Sequence, residues 1–275
     1  DATNAFIKWL IVEHGDFFES IANALLTVLV FIEQGLRGAP PWLVLAAIAL
    51  IAYAASRDFV LALAATALGW LLGSLGLWEQ AMQTIAIMLV SVAIAVIIGI
   101  PLGVVTARSD IARAILNPIL DLMQTMPSFV YLIPAAMLFG LGKVPAILAT
   151  VIYATPPLIR LTDLGIRQVD REVVEASHAF GATRWQMLKG VQIPLALPSI
   201  MQGINQTTMM ALAMVVIASM IGARGIGETV LLGLQRNDPG KGLVGGIGIV
   251  ILAIIFDRIS QAFGRRLQAY KAVRS

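Results

Sequence analysis

The chain has 275 residues, of which 59% are apolar and only 13% charged, and its mean hydropathy is +0.87. A soluble domain carries roughly 25% charged residues; this chain lacks the polar surface to coat a water-facing core, and spans of about 20 residues each leave little length for a separate catalytic domain. The net charge of +3 comes from basic residues of the kind that mark a cytoplasmic membrane rim, not from a clustered nucleic-acid face, and the absence of cysteine excludes disulfides, thiolate metal sites and thiol nucleophiles.

In residues 1–40, Phe6, Ile7, Trp9, Leu10 and Ile11 are interleaved with Lys8, Glu13, His14 and Asp16, and an apolar run is flanked by Glu19 and Glu33. The pattern predicts one or two amphipathic helices in the membrane interface, with Trp9, Phe17 and Phe18 at headgroup depth. An eighth, short span is the alternative. Seven runs then follow without a single Asp, Glu, Lys, Arg or His: 42–54, 59–77, 81–106, 127–142, 144–159, 194–221 and 242–256. They predict an all-α polytopic bundle of seven spans, some extending into flanking polar residues. Pro101 and Pro134 lie inside runs and predict kinks. The pairs Gly69 and Gly73, Gly99 and Gly103, and Gly242 and Gly246 let helix backbones approach closely, most simply within one subunit. Seven crossings with a cytoplasmic C-terminus put the N-terminus outside, and 13 of the 19 Lys and Arg residues then fall inside.

The longest polar stretch between spans, 160–190, is organised. Asp170 caps a helix that begins at Arg171, with Arg171 and Glu175 on one face and Val173, Ala176 and Phe180 on another. Gly181 falls where a helix C-cap wants a positive φ, and Thr183 with Gln186 forms a capping box for a second short helix through Leu188. Pro194 and Pro198 open the next span. A helix, a tight turn and a helix across the inner mouth of a bundle is a docking element.

Glu175-Ala176-Ser177, three residues, Gly181, nine residues and Val191-Gln192-Ile193-Pro194 resembles the EAA loop of ABC importer permeases, with Ser177, Val191 and Ile193 as departures from its usual pattern. The segments Leu120–Pro134, Pro156–Thr162, Asn205–Thr207 and Met214–Ile221 are similar to permease subunits of glycine betaine and proline betaine importers, the ProW type, choline importers included. The similarity covers roughly residues 40–262. It implies a type I importer permease core at 81–262 with its coupling loop at 166–194, two accessory helices at 41–80 and a cytoplasmic basic tail at 263–275. It further implies a homodimer in the bacterial inner membrane, with two cytoplasmic ATPase subunits that bind ATP and Mg, and an extracytoplasmic substrate-binding protein. This chain would hold no cofactor and no catalytic residue. Glu175, Ala176, Ser177, Phe180, Gly181, Thr183 and Arg184 would form the contact with the ATPase.

No nucleotide site is legible: Gly140-Leu141-Gly142-Lys143-Val144 lacks the first glycine of a phosphate loop, Met137 standing there, and the hydroxyl after the lysine. Gly222-Ala223-Arg224-Gly225-Ile226-Gly227 has the wrong order for a dinucleotide loop and reads as a turn closing the outer end of a span, where Arg224 has no assigned role. His14 and His178 are far apart and suggest no metal site. A proton-coupled carrier needs an ionisable group along its route, and the seven runs hold none. Sodium coupling through backbone carbonyls escapes that test, so an ion-coupled secondary carrier stays open, as does an importer of another small solute such as an amino acid. Aromatic faces favour quaternary ammonium ions. Phe129, Tyr131, Asn205, Gln206, Thr207 and Thr208 are the candidate path residues, with Thr125 and Ser219 as possible additions; Asn205 and Gln206 serve equally well as interhelical hydrogen bonds.

Overall fold

A backbone without water to bond must bond itself, and the computed structural model contains helix and turn but no strand among the described residues. The backbone is described for residues 2–272 and side chains for 13–266; Trp9, Lys271 and Arg274 fall outside the described side chains. In chain order the helices are α1 (Ala2–Gly38), α2 (Pro41–Ser56), α3 (Phe59–Ser74), α4 (Trp78–Arg108), α5 (Asp110–Thr125), α6 (Leu132–Phe139), α7 (Lys143–Ala154), α8 (Pro156–Arg167), α9 (Arg171–Ala179), α10 (Arg184–Met187), α11 (Ile193–Ile217), α12 (Ile226–Gln235) and α13 (Pro239–Ala272).

Helix α1 bends at His14, and its part Glu13–Gly38 is long and apolar enough to cross a membrane. Its side chains tie it to the connection between α6 and α7. The Phe18 ring is 5.4 Å from that of Phe139, and Glu33 Oε2 is 2.6 Å from Lys143 Nζ. Phe18 and Glu33 are separated by about 22 Å of helix at 1.5 Å per residue, yet both reach the short connection at the end of α6. Helix α1 also packs along α4, and its Leu29 is fully buried in the main core.

Helices α2 and α3 form a hairpin. Arg57 closes α2 at φ 55, and Asp58 caps α3 by accepting from Val60 N at 2.8 Å. Each has 16 residues, about 24 Å by the helical rise and short of a hydrocarbon core of about 30 Å. The two runs read as spans from sequence are thus shorter than independent spans. Ala52, Ala62 and Ala65 pack the hairpin together against Ile259 of α13.

The expected kink at Pro101 is absent as a break, since α4 continues through it for 31 residues. Pro134 sits in the first turn of α6, where its missing N–H is not needed. Residues 127–142 are not a span in their own right. Met126, held extended ahead of Pro127, divides α5 from a 3-10 turn at Ser128–Tyr131 and α6, and the two halves are bent by 108°. Taken together from Asp110, the pair is a broken span or a re-entrant loop. Helices α7 and α8 join at Thr155 into one apolar rod, Lys143–Arg167, and α10 continues through a π turn, Leu188–Gln192, into α11, giving Arg184–Ile221. Helix α12, which begins at the end of the turn read at 222–227 and was not expected from the sequence, packs against α13 with Gly233 on Gly242 and Gly245 on Val230.

The centre of the bundle is α8, held between α4 and α11. A Cβ on Gly103 would lie 2.5 Å from Thr162 Cβ and 2.8 Å from Ile159 O; one on Gly165 would lie 2.6 Å from Ser199 Cβ. These glycines let three backbones touch, so the Gly99 and Gly103 pair is used inside the protomer. Leu158, Leu188, Ala196 and Ile200 seal the contact.

Candidate functional site

The polar segment after α8 folds as its local chemistry dictates. Asp170 accepts from Glu172 N at 3.0 Å and starts α9; Phe180 N donates to Ala176 O at 3.0 Å and Gly181 N to His178 O at 2.9 Å, with Gly181 at φ +80. Thr183 and Gln186 complete a reciprocal capping box: Gln186 N donates to Thr183 Oγ1 at 3.3 Å and Thr183 N to Gln186 Oε1 at 2.9 Å. The result is a rigid helix, turn and helix with its outer face uncovered. Phe180 is 93% exposed and Trp185 58%, while Glu175, Ala176, Gly181, Thr183 and Arg184 are exposed and Ser177 is half-buried. Two large apolar rings presented to water at a turn cost solvation and mark an interaction surface. Behind the loop lies a cleft of about 390 Å³ whose lining includes Arg108, Arg167, Glu175, His178 and Arg184. Arg108 ties the second helix to the end of α4 by donating to Arg184 O at 3.2 Å.

Immediately above sits an ion cluster that sequence reading missed. Asp163, only 6% exposed, receives Arg167 Nε at 2.9 Å and faces Arg113 Nε at 3.1 Å. Arg167 also reaches Asp110 at 2.8 Å and donates to Thr106 O at 2.8 Å. Arg160 pairs with Asp121. Charges from α8 thus fasten both ends of α5, whose apolar contact with α8 is slight. Asp163 and Arg167 stand four apart and were visible as a helical pair; Arg113, fifty residues away, gave no signal.

The six candidate path residues do not form one surface in the protomer. Phe129 is 55% exposed and Gln206 exposed. Tyr131 is buried, donating to Met123 O across the break in the α5–α6 span, with its ring 6.1 Å from Tyr153. Asn205 donates to Asp257 at 3.1 Å and accepts from Ser260, an interhelical knot joined by Gln261 Nε2 at 2.7 Å from Asp257. Thr208 donates to Ile204 O at 2.8 Å, and Thr207 is fully buried with no hydrogen-bond partner for Oγ1 among the described residues. Ser219 is buried and Thr125 exposed. Asp257 and Asp163 also qualify the charge-free reading: both lie in helices long enough to cross a membrane, outside the seven runs but inside the spans.

A family model described as the binding-protein-dependent transport system inner membrane component matches residues 99–269. The chain belongs to this family of transport permeases. The permease is 48% identical over 259 residues to the glycine betaine/proline betaine transport system permease protein ProW of Escherichia coli (strain K12), covering 94% of this chain and 73% of that protein. It is 44% identical over 262 residues to the glycine betaine transport system permease protein OpuAB of Bacillus subtilis (strain 168), covering 95% and 92%. An inward-facing structure of the MetNI methionine ABC transporter shares its fold with a TM-score of 0.62 at 22% identity, over 70% of this chain and 95% of that one. The fold is that of a type I importer permease. The matched family region begins inside α4 and does not include α1, α2 and α3, and the apolar helices make the chain a multi-pass inner-membrane protein.

Proposed function

We propose that this permease forms half of the translocation path of an ATP-driven, binding-protein-dependent importer of quaternary ammonium osmolytes, with glycine betaine, proline betaine and choline as substrates. The observation that carries the coupling half of this reading is the uncovered turn at Phe180 and Gly181, built on the end of α8 and continuous through α10 with α11. The substrate half draws on the names of the relatives. Two copies face each other, each turn enters a cleft of one cytoplasmic ATPase that binds ATP and Mg, and a binding protein delivers substrate at the opposite end. Closure of the ATPase pair pulls α9 and α10 inward, and the Asp163 cluster passes the displacement from α8 to α5. The broken α5–α6 span then moves Phe129 and Tyr131. In this scheme Phe129 and Gln206 touch substrate, and Asn205, Thr207 and Thr208 shape the wall behind them.

Seven crossings follow if α1 lies on the outer surface, in line with its contacts to Phe139 and Lys143, and if the short hairpin α2–α3 crosses and returns as a pair. The N-terminus is then periplasmic and the C-terminus cytoplasmic, and the hairpin α2–α3 returns to the side it leaves, so sidedness does not depend on how deeply it inserts. ATP hydrolysis by the reconstituted complex tests the substrate. Binding protein loaded with glycine betaine should stimulate it more than the same protein offered methionine; equal stimulation by both would overturn the osmolyte reading.

A further inference from the structure

Helix α2 packs on α13 and stands off α4, leaving a crevice of about 510 Å³ among α2, α4, α11 and α13. Ala55, Leu89, Val92, Met201, Phe256 and Phe263 line it. The hydroxyls at its floor are already occupied, Thr208 donating to Ile204 O and Ser260 to Asn205. Water needs two or more polar partners to reside in such a space, and an empty crevice forfeits the dispersion contacts of its walls. Among the described residues one charged group lines it, Arg266, whose guanidinium donates to Ala54 O at the end of α2. Arg57 terminates the same helix three residues on, and Arg258 and Arg265 are exposed on α13. An apolar slot in a membrane protein, with an arginine in its lining and further arginines on the flanking helices, matches one chemistry: a hydrocarbon chain attached to an anionic headgroup. The guanidinium fork pairs with phosphate oxygens in two-point fashion, and basic residues at a membrane surface select acidic lipids.

We propose that the crevice holds one acyl chain of an anionic phospholipid from the leaflet at the Arg266 end, its headgroup phosphate on Arg266. The lipid would serve as the packing layer between the hairpin and the permease core. Native mass spectrometry of the purified permease–ATPase complex, supplied with equal amounts of phosphatidylglycerol and phosphatidylethanolamine, tests this. Wild type should retain one phosphatidylglycerol per permease chain, several-fold over phosphatidylethanolamine. Arg266→Gln should lose that preference, Arg266→Lys should keep part of it, and Ala55→Phe, which fills the slot, should retain neither lipid while eluting as the intact complex. Retention of both lipids alike by wild type, or an unchanged preference in Arg266→Gln, would overturn the proposal. So would a disulfide-linked permease dimer formed through Leu89→Cys in this cysteine-free chain, because a second copy would then occupy the crevice.

Discussion

In the proposed coupling turn, Gly181 is the position where local backbone chemistry would bear most directly on transport. Its φ of +80 belongs to a conformation that costs a residue with a Cβ about 1–2 kcal/mol, and a β-branched side chain has no relaxed alternative there. Space is open around it, so Gly181→Val should leave insertion and folding intact while deforming the turn. Uptake should fall roughly tenfold, as that energy implies, with ATP hydrolysis by the complex largely kept; uptake in proteoliposomes at wild-type rate would remove the turn from the coupling path. Gly103 has the opposite problem. Its backbone conformation is ordinary, but a side chain would strike Thr162 and Ile159 O, and Gly103→Val should destabilise the bundle by about 1–3 kcal/mol, seen as a lower melting temperature in detergent. Both glycines were legible in the sequence, one from its place after a capped helix and one from its four-residue pairing. Local signals suffice where the cause is local. Asn205 was legible as a polar residue in a span, whereas its bond to Asp257 depends on which face of α13 turns inward, and nothing near Asn205 in the chain specifies that.

Between elements, the charges decide what periodicity cannot. Asp163 joins α8 to α5 through Arg113, and Arg167, paired with Asp163 on α8, reaches Asp110 of α5. Removing one partner of a fully buried pair costs about 3–5 kcal/mol, and less is expected here because Arg113 and Arg167 are 41% and 28% exposed. If the cluster transmits motion, Asp163→Asn should lower uptake more than it lowers stability, by a factor in the range of roughly 5–150 typical of coupling free energies, and Asp163→Glu should restore most of it. Equal losses of uptake and melting temperature would reduce the cluster to a structural tie. At the other end, Glu33 binds Lys143 at 2.6 Å and Arg37 at 3.4 Å, and Arg37 bridges to Glu79 at 3.2 Å. Glu33→Gln should loosen α1 and speed proteolysis near Pro40, without affecting uptake if α1 is only a brace. The broken span at Pro127 and helix α12 were missed for a shared reason. Hydropathy measures how apolar a segment is, and neither a bend of 108° nor a short helix folded back onto α13 changes that.

At the scale of the whole molecule, the composition specifies a membrane bundle, and the loop at 166–194 is where the proposed coupling would enter. What the composition could not specify is how α1, α2 and α3, which precede the matched family region, sit. Helix α1 satisfies the length of a span, and Phe18 and Glu33 tie it to the connection between α6 and α7. Single cysteines introduced into this cysteine-free chain report sidedness cleanly: Gly38→Cys should react with an impermeant maleimide from outside intact cells and Ser177→Cys should not, and the reverse pattern would invert the topology. The central claim is that the permease moves its substrate only when a separate ATPase drives the Phe180–Gly181 turn. The most direct test is uptake of labelled glycine betaine into proteoliposomes containing the permease and its binding protein, with ATP enclosed, in the presence and absence of the ATPase. Accumulation that requires the ATPase is the predicted result; accumulation by the permease without it would contradict the account.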